Sequence, residues 1–236
     1  MEEKKRYWQT PTDVEGFGQA FVVSDEQKLD WADMFYMSTF PKHLRRPYLF
    51  PMLPLPYREA MENYTAEVHK LTKKILDYLA KALDVDSEVK GDVFGEGHQS
   101  IRVNYYPACP QPDKVIGLAP HTDAISLISI LLRLHGMEGL QVKRNNKWVA
   151  ITPKPNAFII NVGDMLEVMS NGIYRSVMHR AVVNATEERL SLVTFHGTAL
   201  DSEIGPIPKL ITPTTPAKFK RMSTIEYMKA FLAHPL

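Results

Sequence analysis

His121-Thr122-Asp123 sets an imidazole and a carboxylate two residues apart, between Pro120 and an apolar run that begins at Ile125. In an extended chain, positions i and i+2 project to the same side, so both groups can face one point. A third donor from a distant strand would complete two histidines and one carboxylate. That set holds ferrous iron and leaves coordination positions open. His179 is the best candidate, because it falls within an expected strand over 176–183 whose apolar neighbours make an unpaired imidazole costly to bury. Ten residues further on, Arg189-Leu190-Ser191 puts a planar guanidinium and a hydroxyl on one strand face, which suits a carboxylate. A metal face beside a carboxylate clamp is what a small keto-acid cosubstrate requires. Each feature also has a plainer reading. An H-x-D tripeptide arises often by chance, a lone buried histidine is usually a satisfied core residue, and Arg189 can pair with Glu187 or Glu188 at the surface.

The other histidines (His43, His69, His98, His135, His196 and His234) show no comparable constellation. Cys109, between Ala108 and Pro110, has no evident histidine or carboxylate partner and reads as structural.

Certain elements must position these groups. Residues 1–56 read as irregular, since five prolines between Pro41 and Pro56 forbid a long helix there. Trp31, Phe35, Tyr36 and Phe40 in that stretch read as packing residues. From Tyr57 to Leu83 the apolar residues Met61, Tyr64, Val68, Leu71, Ile75, Leu79 and Leu83 recur at three- and four-residue spacing, which predicts one long amphipathic helix. A polar passage ending at Gly95-Glu96-Gly97 follows. From Ser100 the pattern turns to strands: 101–106, 125–132, 157–162, 176–183 and 189–195, with a hairpin at Asn145-Asn146 joining 140–144 to 147–151. A short helix is expected over 223–234. Many short strands with turn signals between them predict a sandwich or barrel.

Composition restricts the class. Of 236 residues, 28 are Lys or Arg and 27 Asp or Glu, with no basic stripe, which argues against nucleic acid or an anionic membrane as partner. One cysteine allows no internal disulfide and fits a reducing compartment, cytoplasmic or also nuclear. The charged start, without an apolar core behind it, reads as no secretory leader, and no window approaches a membrane span.

The ordered motifs carry a resemblance. Asn104-Tyr105-Tyr106-Pro107-x-Cys109-Pro110, Gly117-Leu118-x-Pro120-His121-Thr122-Asp123 and Gly139-Leu140-Gln141-Val142 come first. Asn161-Val162-Gly163-Asp164, Ser170-Asn171-Gly172, His179-Arg180 and Arg189-x-Ser191 follow. Together they resemble the plant 2-oxoglutarate and iron(II)-dependent dioxygenases, a group with anthocyanidin synthase, flavonol synthase and codeine O-demethylase, and are most similar to its senescence-related, codeine-demethylase-like branch.

The resemblance implies a mainly β fold, a double-stranded β-helix (jelly roll) with an N-terminal helical region. The implied division is 1–96 as an N-terminal helical or irregular region, 97–200 as the dioxygenase core and 201–236 as a C-terminal extension with a helix. It implies iron(II) on His121, Asp123 and His179, and 2-oxoglutarate held by Arg189 and Ser191 with Asn104 and Tyr106 lining its site. Strand alternation independently puts Asn104 and Tyr106 on one face. Dioxygen is the oxidant and ascorbate the implied reductant. The implied reaction hydroxylates or O-demethylates a small plant metabolite, releasing succinate and carbon dioxide. For substrate contacts, alternation brings Phe195 to the face of Arg189 and Arg102 to that of Asn104, while Met34 and Tyr36 fall where the family places pocket residues; plain packing explains each as well. The expected partner is a small molecule, with the chain monomeric. Measured against the family, the chain enters about a hundred residues late. Two rival readings remain: a silent small-molecule-binding homologue, and an oxidase of the same fold that does not use 2-oxoglutarate.

Overall fold

The computed structural model describes residues 2–10, 13–18, 30–85, 97–134, 136–152 and 154–233. His135, His234, Gly95 and Glu96 lie outside them. In chain order the first elements are a helical turn α1 (Glu2–Lys5), β1 (Gly16–Phe17), β2 (Asp33–Phe40), the long helix α2 (Leu55–Ala82), β3 (Gln99–Tyr106), β4 (Leu118–His121) and β5 (Ile128–Arg133). There follow β6 (Leu140–Arg144), β7 (Lys147–Ala150), β8 (Ile159–Val162), α3 (Asp164–Met169), β9 (His179–Ala181), β10 (Arg189–His196), β11 (Glu203–Ile204), β12 (Met222–Ser223) and α4 (Thr224–Ala233).

Two sheets make the body. The larger runs β1-β2-β3-β10-β5-β8 and the smaller β4-β9-β6-β7. From β3 to β10 the chain passes back and forth between them, and the pairings within each sheet are antiparallel. That path is the double-stranded β-helix expected from the sequence. The hairpin forms as predicted: Asn145 and Asn146 both take positive φ, 49° and 58°, the conformation a two-residue type I′ turn demands and asparagine tolerates.

The interior of the barrel is not the main apolar core. On β3 and β10 the residues Ile101 and Leu192 face outward, joining Phe35, Met37, Leu49, Phe50 and Met61 in one buried cluster. A second cluster unites the end of α2 (Leu76, Ala80, Leu83) with Leu127, Ile128, Met165, Leu166, Met169, Ile204 and Ile207. Helix α2 thus backs the large sheet and leaves the inner face free for polar groups. Its buried line runs Met61, Thr65, Val68, Thr72, Leu76 and Ala80. Four of the residues predicted for the apolar stripe, Tyr64, Leu71, Ile75 and Leu79, flank that line half-buried. The helix ends where Asp84 turns to φ 53° and the Val85 N–H donates to the Ala80 carbonyl, a left-handed cap.

Three readings need correction. The stretch 1–56 is not irregular throughout, because β2 is an eight-residue strand paired along β3. The five prolines from Pro41 to Pro56 follow this strand, so they do not bear on 33–40. The strand expected over 176–183 is only His179–Ala181. Strand β4 stops at His121, so Asp123 is not part of a continuous strand with it. Cys109 is buried with Tyr106, Ala181 and Val183, in keeping with its structural reading.

Candidate active site at the mouth of the barrel

Strands β4 and β9 put His121 directly opposite His179, with the ring centroids 4.3 Å apart. Each imidazole is oriented from behind. His121 Nδ1 donates to the Ala119 carbonyl at 2.8 Å and His179 Nδ1 to the Val177 carbonyl at 3.0 Å. That fixes the Nδ1–H tautomer and turns both Nε2 lone pairs toward the same point. Asp123 reaches this point from the turn beyond β4. Its Oδ1 stands 4.0 Å from His121 Nε2 and 3.7 Å from His179 Nε2. Its Oδ2 is held from the other side by the Ser129 hydroxyl and, at 3.4 Å, by Asn161 Nδ2. The Asp164 N–H and the Ser126 hydroxyl donate to the Asp123 carbonyl, pinning the turn.

The three ligating atoms lie within 4.8 Å of one another. Burial holds the His121 imidazole down at about 4; His179 and Arg102 add to the effect, and Asp123 and the Ala119 carbonyl oppose it. At neutral pH His121 is therefore an uncharged donor, and its contact with Asp123 is not an ion pair. Two imidazole nitrogens and one carboxylate oxygen, each on a side chain whose second polar atom is already engaged, fit a divalent iron bound on one face.

The residues expected to clamp a carboxylate are brought together by register. Strand β10 pairs with β3 so that Arg189 lies across from Tyr106, Ser191 from Asn104, Val193 from Arg102 and Phe195 from Ser100. Cross-strand partners share a face, so the four cosubstrate residues expected from the sequence meet on the inner surface of the large sheet. Arg189 is 2% exposed. Its Nη1 donates to Ser191 Oγ at 3.3 Å, its guanidinium lies 5.1 Å from the Tyr106 ring centroid, and its Nε has no partner. Asn104 Oδ1 beside it is likewise buried without a partner. The surface alternative for Arg189 fails: Glu188 instead accepts from the Tyr105 hydroxyl at 2.7 Å. Room for Arg189 comes from Gly139, where a Cβ would stand 2.9 Å from Arg189 Cδ and 3.0 Å from the Val182 carbonyl.

The metal face and the clamp open into one narrow cleft, whose wall includes Arg102, Arg180 and Phe195. Phe195 also lines a second, larger cavity of about 250 Å³ together with Tyr36, Glu15, Ser38 and His98. Met34, across from Asn104, is buried and lines neither cavity. Sequence reasoning missed Ser129, and it quoted Asn161 and Gly139 within motifs without giving either a role. The first two are polar interruptions of apolar strands, which was the available signal; the need for glycine at 139 is visible only once β10 is in place.

Comparison with known proteins agrees with this geometry. Residues 97–198 match the family model described as the 2OG-Fe(II) oxygenase superfamily. Protein SRG1 of Arabidopsis thaliana is 49% identical over all of this chain and 66% of its own length. Thebaine 6-O-demethylase of Papaver somniferum is 56% identical over 95% of this chain and 62% of its own. The chain therefore spans a little under two thirds of the length of these relatives. The crystal structure of JOX2 in complex with 2OG, Fe and JA superposes with a TM-score of 0.91 at 34% identity, covering 98% of this chain and 68% of that one. With the family match over 97–198, a related structure of the same fold at 34% identity and a His–Asp–His face in place, the chain belongs to the 2-oxoglutarate and iron(II)-dependent oxygenase superfamily.

Proposed function

We propose that this protein is an iron(II)- and 2-oxoglutarate-dependent oxygenase that hydroxylates or O-demethylates a small plant metabolite of phenolic, alkaloid or hormone-like type. The observation that carries the reading is the joint opening of the His121–Asp123–His179 face and the buried, incompletely partnered Arg189 into one cleft. A keto acid of fixed length joins two such sites: its near end meets the metal face and its far carboxylate the guanidinium. Iron bound there would supply dioxygen activation coupled to oxidative decarboxylation of the keto acid.

The residues of the chain do the rest. Arg189 and Ser191 donate to the distal carboxylate, and Tyr106 seals the guanidinium from water. Ser129 and Asn161 hold Asp123 so that only Oδ1 faces the ion. The Ala119 and Val177 carbonyls keep both histidines in the donor tautomer. Phe195, at the junction of the two cavities, separates the metal site from the space where a substrate skeleton fits. We place the catalytic core at 97–200, flanked by 1–96 and 201–236, which the family match over 97–198 supports.

The partner is a small molecule, with the chain monomeric and cytoplasmic. The near-zero net charge of +1 supports the exclusion of nucleic acid and anionic membranes, and no helix among the described residues is long and apolar enough to cross a membrane. Ascorbate is the proposed reductant. The test is succinate formation from 2-oxoglutarate with iron(II) and dioxygen, compared with His121→Ala and Asp123→Ala. Turnover that survives either substitution refutes the ligand assignment. Oxygen consumed without succinate would support an oxidase that does not use the keto acid.

A further inference from the structure

The pairing of β4 with β9 slips at the metal site. Leu118 lies across from Ala181 and His121 from His179, so three steps along β4 match two along β9. The extra residue makes a bulge, and a bulge takes backbone groups off the ladder. Ala119 and Pro120 occupy it. Pro120 has no N–H to satisfy. Ala119 has both an N–H and a carbonyl, and the carbonyl is the acceptor that orients His121 through Nδ1 at 2.8 Å. Its N–H donates to Asp30 Oδ1 at 2.9 Å, a carboxylate 89 residues earlier in the chain.

Asp30 is itself anchored through its neighbours. Trp31 donates its N–H to the Ile116 carbonyl at 2.8 Å and its Nε1–H to the Pro107 carbonyl at 3.1 Å. Ala32 packs against the buried Tyr106, Cys109, Ala181 and Val183. Segment 30–32 is thus clipped to the chain that leads into β4, and the carboxylate arrives from outside the 97–198 stretch that matches the family. The other side of Ala119 is limited by sequence, since a residue before proline is confined to extended ψ. With its N–H tethered and its ψ restricted, the Ala119 carbonyl has one direction, toward His121. Strand pairing does not supply this, because β4 stands at the edge of its sheet and the bulge interrupts its ladder to β9.

We propose that Asp30 is a positioning residue for the metal ligand His121: by accepting the Ala119 N–H it aims the Ala119 carbonyl at His121 Nδ1, and so fixes the tautomer that presents Nε2 to the ion. This rests on the oxygenase reading above for the identity of the metal. It follows that the metal site is completed by a residue of the N-terminal region, not by the catalytic core alone. The competing account is electrostatic, because Asp30 also feels the charge of Arg102. An uncharged side chain with the same acceptor separates the two.

The experiment compares Asp30→Ala, which removes the acceptor, with Asp30→Asn, whose amide oxygen keeps it and drops the charge. In metal-free protein at neutral pH, proton–nitrogen NMR of the imidazole rings reads the tautomer of His121, its signals identified by their loss in His121→Ala. Native protein and Asp30→Asn show the Nδ1–H form, and Asp30→Ala shows both tautomers in exchange. Iron(II) titration without oxygen finds Asp30→Ala weaker by about tenfold or more and Asp30→Asn within about threefold of native. An Nε2–H tautomer in the native protein overturns the proposal outright, whether or not either variant folds. So does Asp30→Ala with tautomer and iron affinity unchanged. Asp30→Asn as damaging as Asp30→Ala overturns it too and assigns Asp30 a charge role toward Arg102. Succinate formation by the native, iron-loaded protein is measured separately. Its absence counts against the oxygenase reading and leaves the tautomer comparison, made without metal, interpretable.

Discussion

Replacing Arg189 by methionine separates a cosubstrate clamp from a structural residue. Arg189 is buried at 2% exposure with no carboxylate beside it; its Nη1 donates to Ser191 Oγ at 3.3 Å, and its Nε has no hydrogen-bond partner. Burial accordingly pulls its pKa below the ordinary arginine value, although the nearby Tyr106 partly offsets this. An isolated charge in that position opposes folding, so the ligand-free protein gains nothing from it. Methionine keeps most of the stem volume, so Arg189→Met is expected to leave the melting temperature of the apo-protein unchanged or raised. The same change removes the proposed partner of the distal carboxylate. Truncating one side of a buried, hydrogen-bonded charge pair costs about 2 to 5 kcal/mol. At 1.4 kcal/mol per tenfold, the lower figure alone weakens 2-oxoglutarate binding by roughly 30-fold. Calorimetric titration of 2-oxoglutarate into the metal-loaded protein, beside thermal melts without it, reads both quantities. A drop of many degrees in the apo-protein, or an affinity changed by less than about threefold, would refute the reasoning.

Three further outcomes follow from the same geometry. Ser129→Ala frees Asp123 Oδ2 from its main restraint and is expected to weaken iron binding by about 10- to 100-fold, measured by metal titration, with 2-oxoglutarate affinity at saturating metal little changed. Gly139→Ala drives a methyl group against Arg189 Cδ and should raise the KM for 2-oxoglutarate while leaving metal affinity intact; an unchanged KM means the strand yields instead. His196, buried between α2 and the large sheet, is pushed down to about 3, chiefly by desolvation and then by His69, His98 and Lys73. Its folded value lies below the unfolded one near 6.5, so the unfolded chain binds the proton first and stability falls as pH drops from about 6.5 toward 3. His196→Leu should flatten that slope in urea melts across this range; an identical slope places the acid sensitivity elsewhere.

Much of this was legible along the chain. Two-residue periodicity in β3 and β10 is local, and it alone put Arg102, Asn104 and Tyr106 on one face and Arg189, Ser191 and Phe195 on another. Asn145-Asn146 specified its turn because asparagine adopts positive φ where most side chains resist it. Donor type also belongs to the residues themselves, so two imidazoles and a carboxylate announced a metal before any fold was known.

Tertiary structure decided which of these faces meet. Periodicity says to which side a residue points, never which strand lies opposite. Only the pairing of β4 with β9 brings His121 to His179, and only the register of β10 against β3 sets Arg189 over Tyr106. The same pairing buried Arg189 and removed its surface alternative with Glu188. It showed that Asp123 converges through a turn held by Ser129 and Asn161, where continuous strand alternation had been expected. Strand β2 escaped notice because its inner side mixes Met34, Tyr36 and Ser38, a pattern that makes sense only against the cavity it borders. Contacts between residues dozens of positions apart depend on the whole chain closing, and a local window of sequence carries no record of that closure.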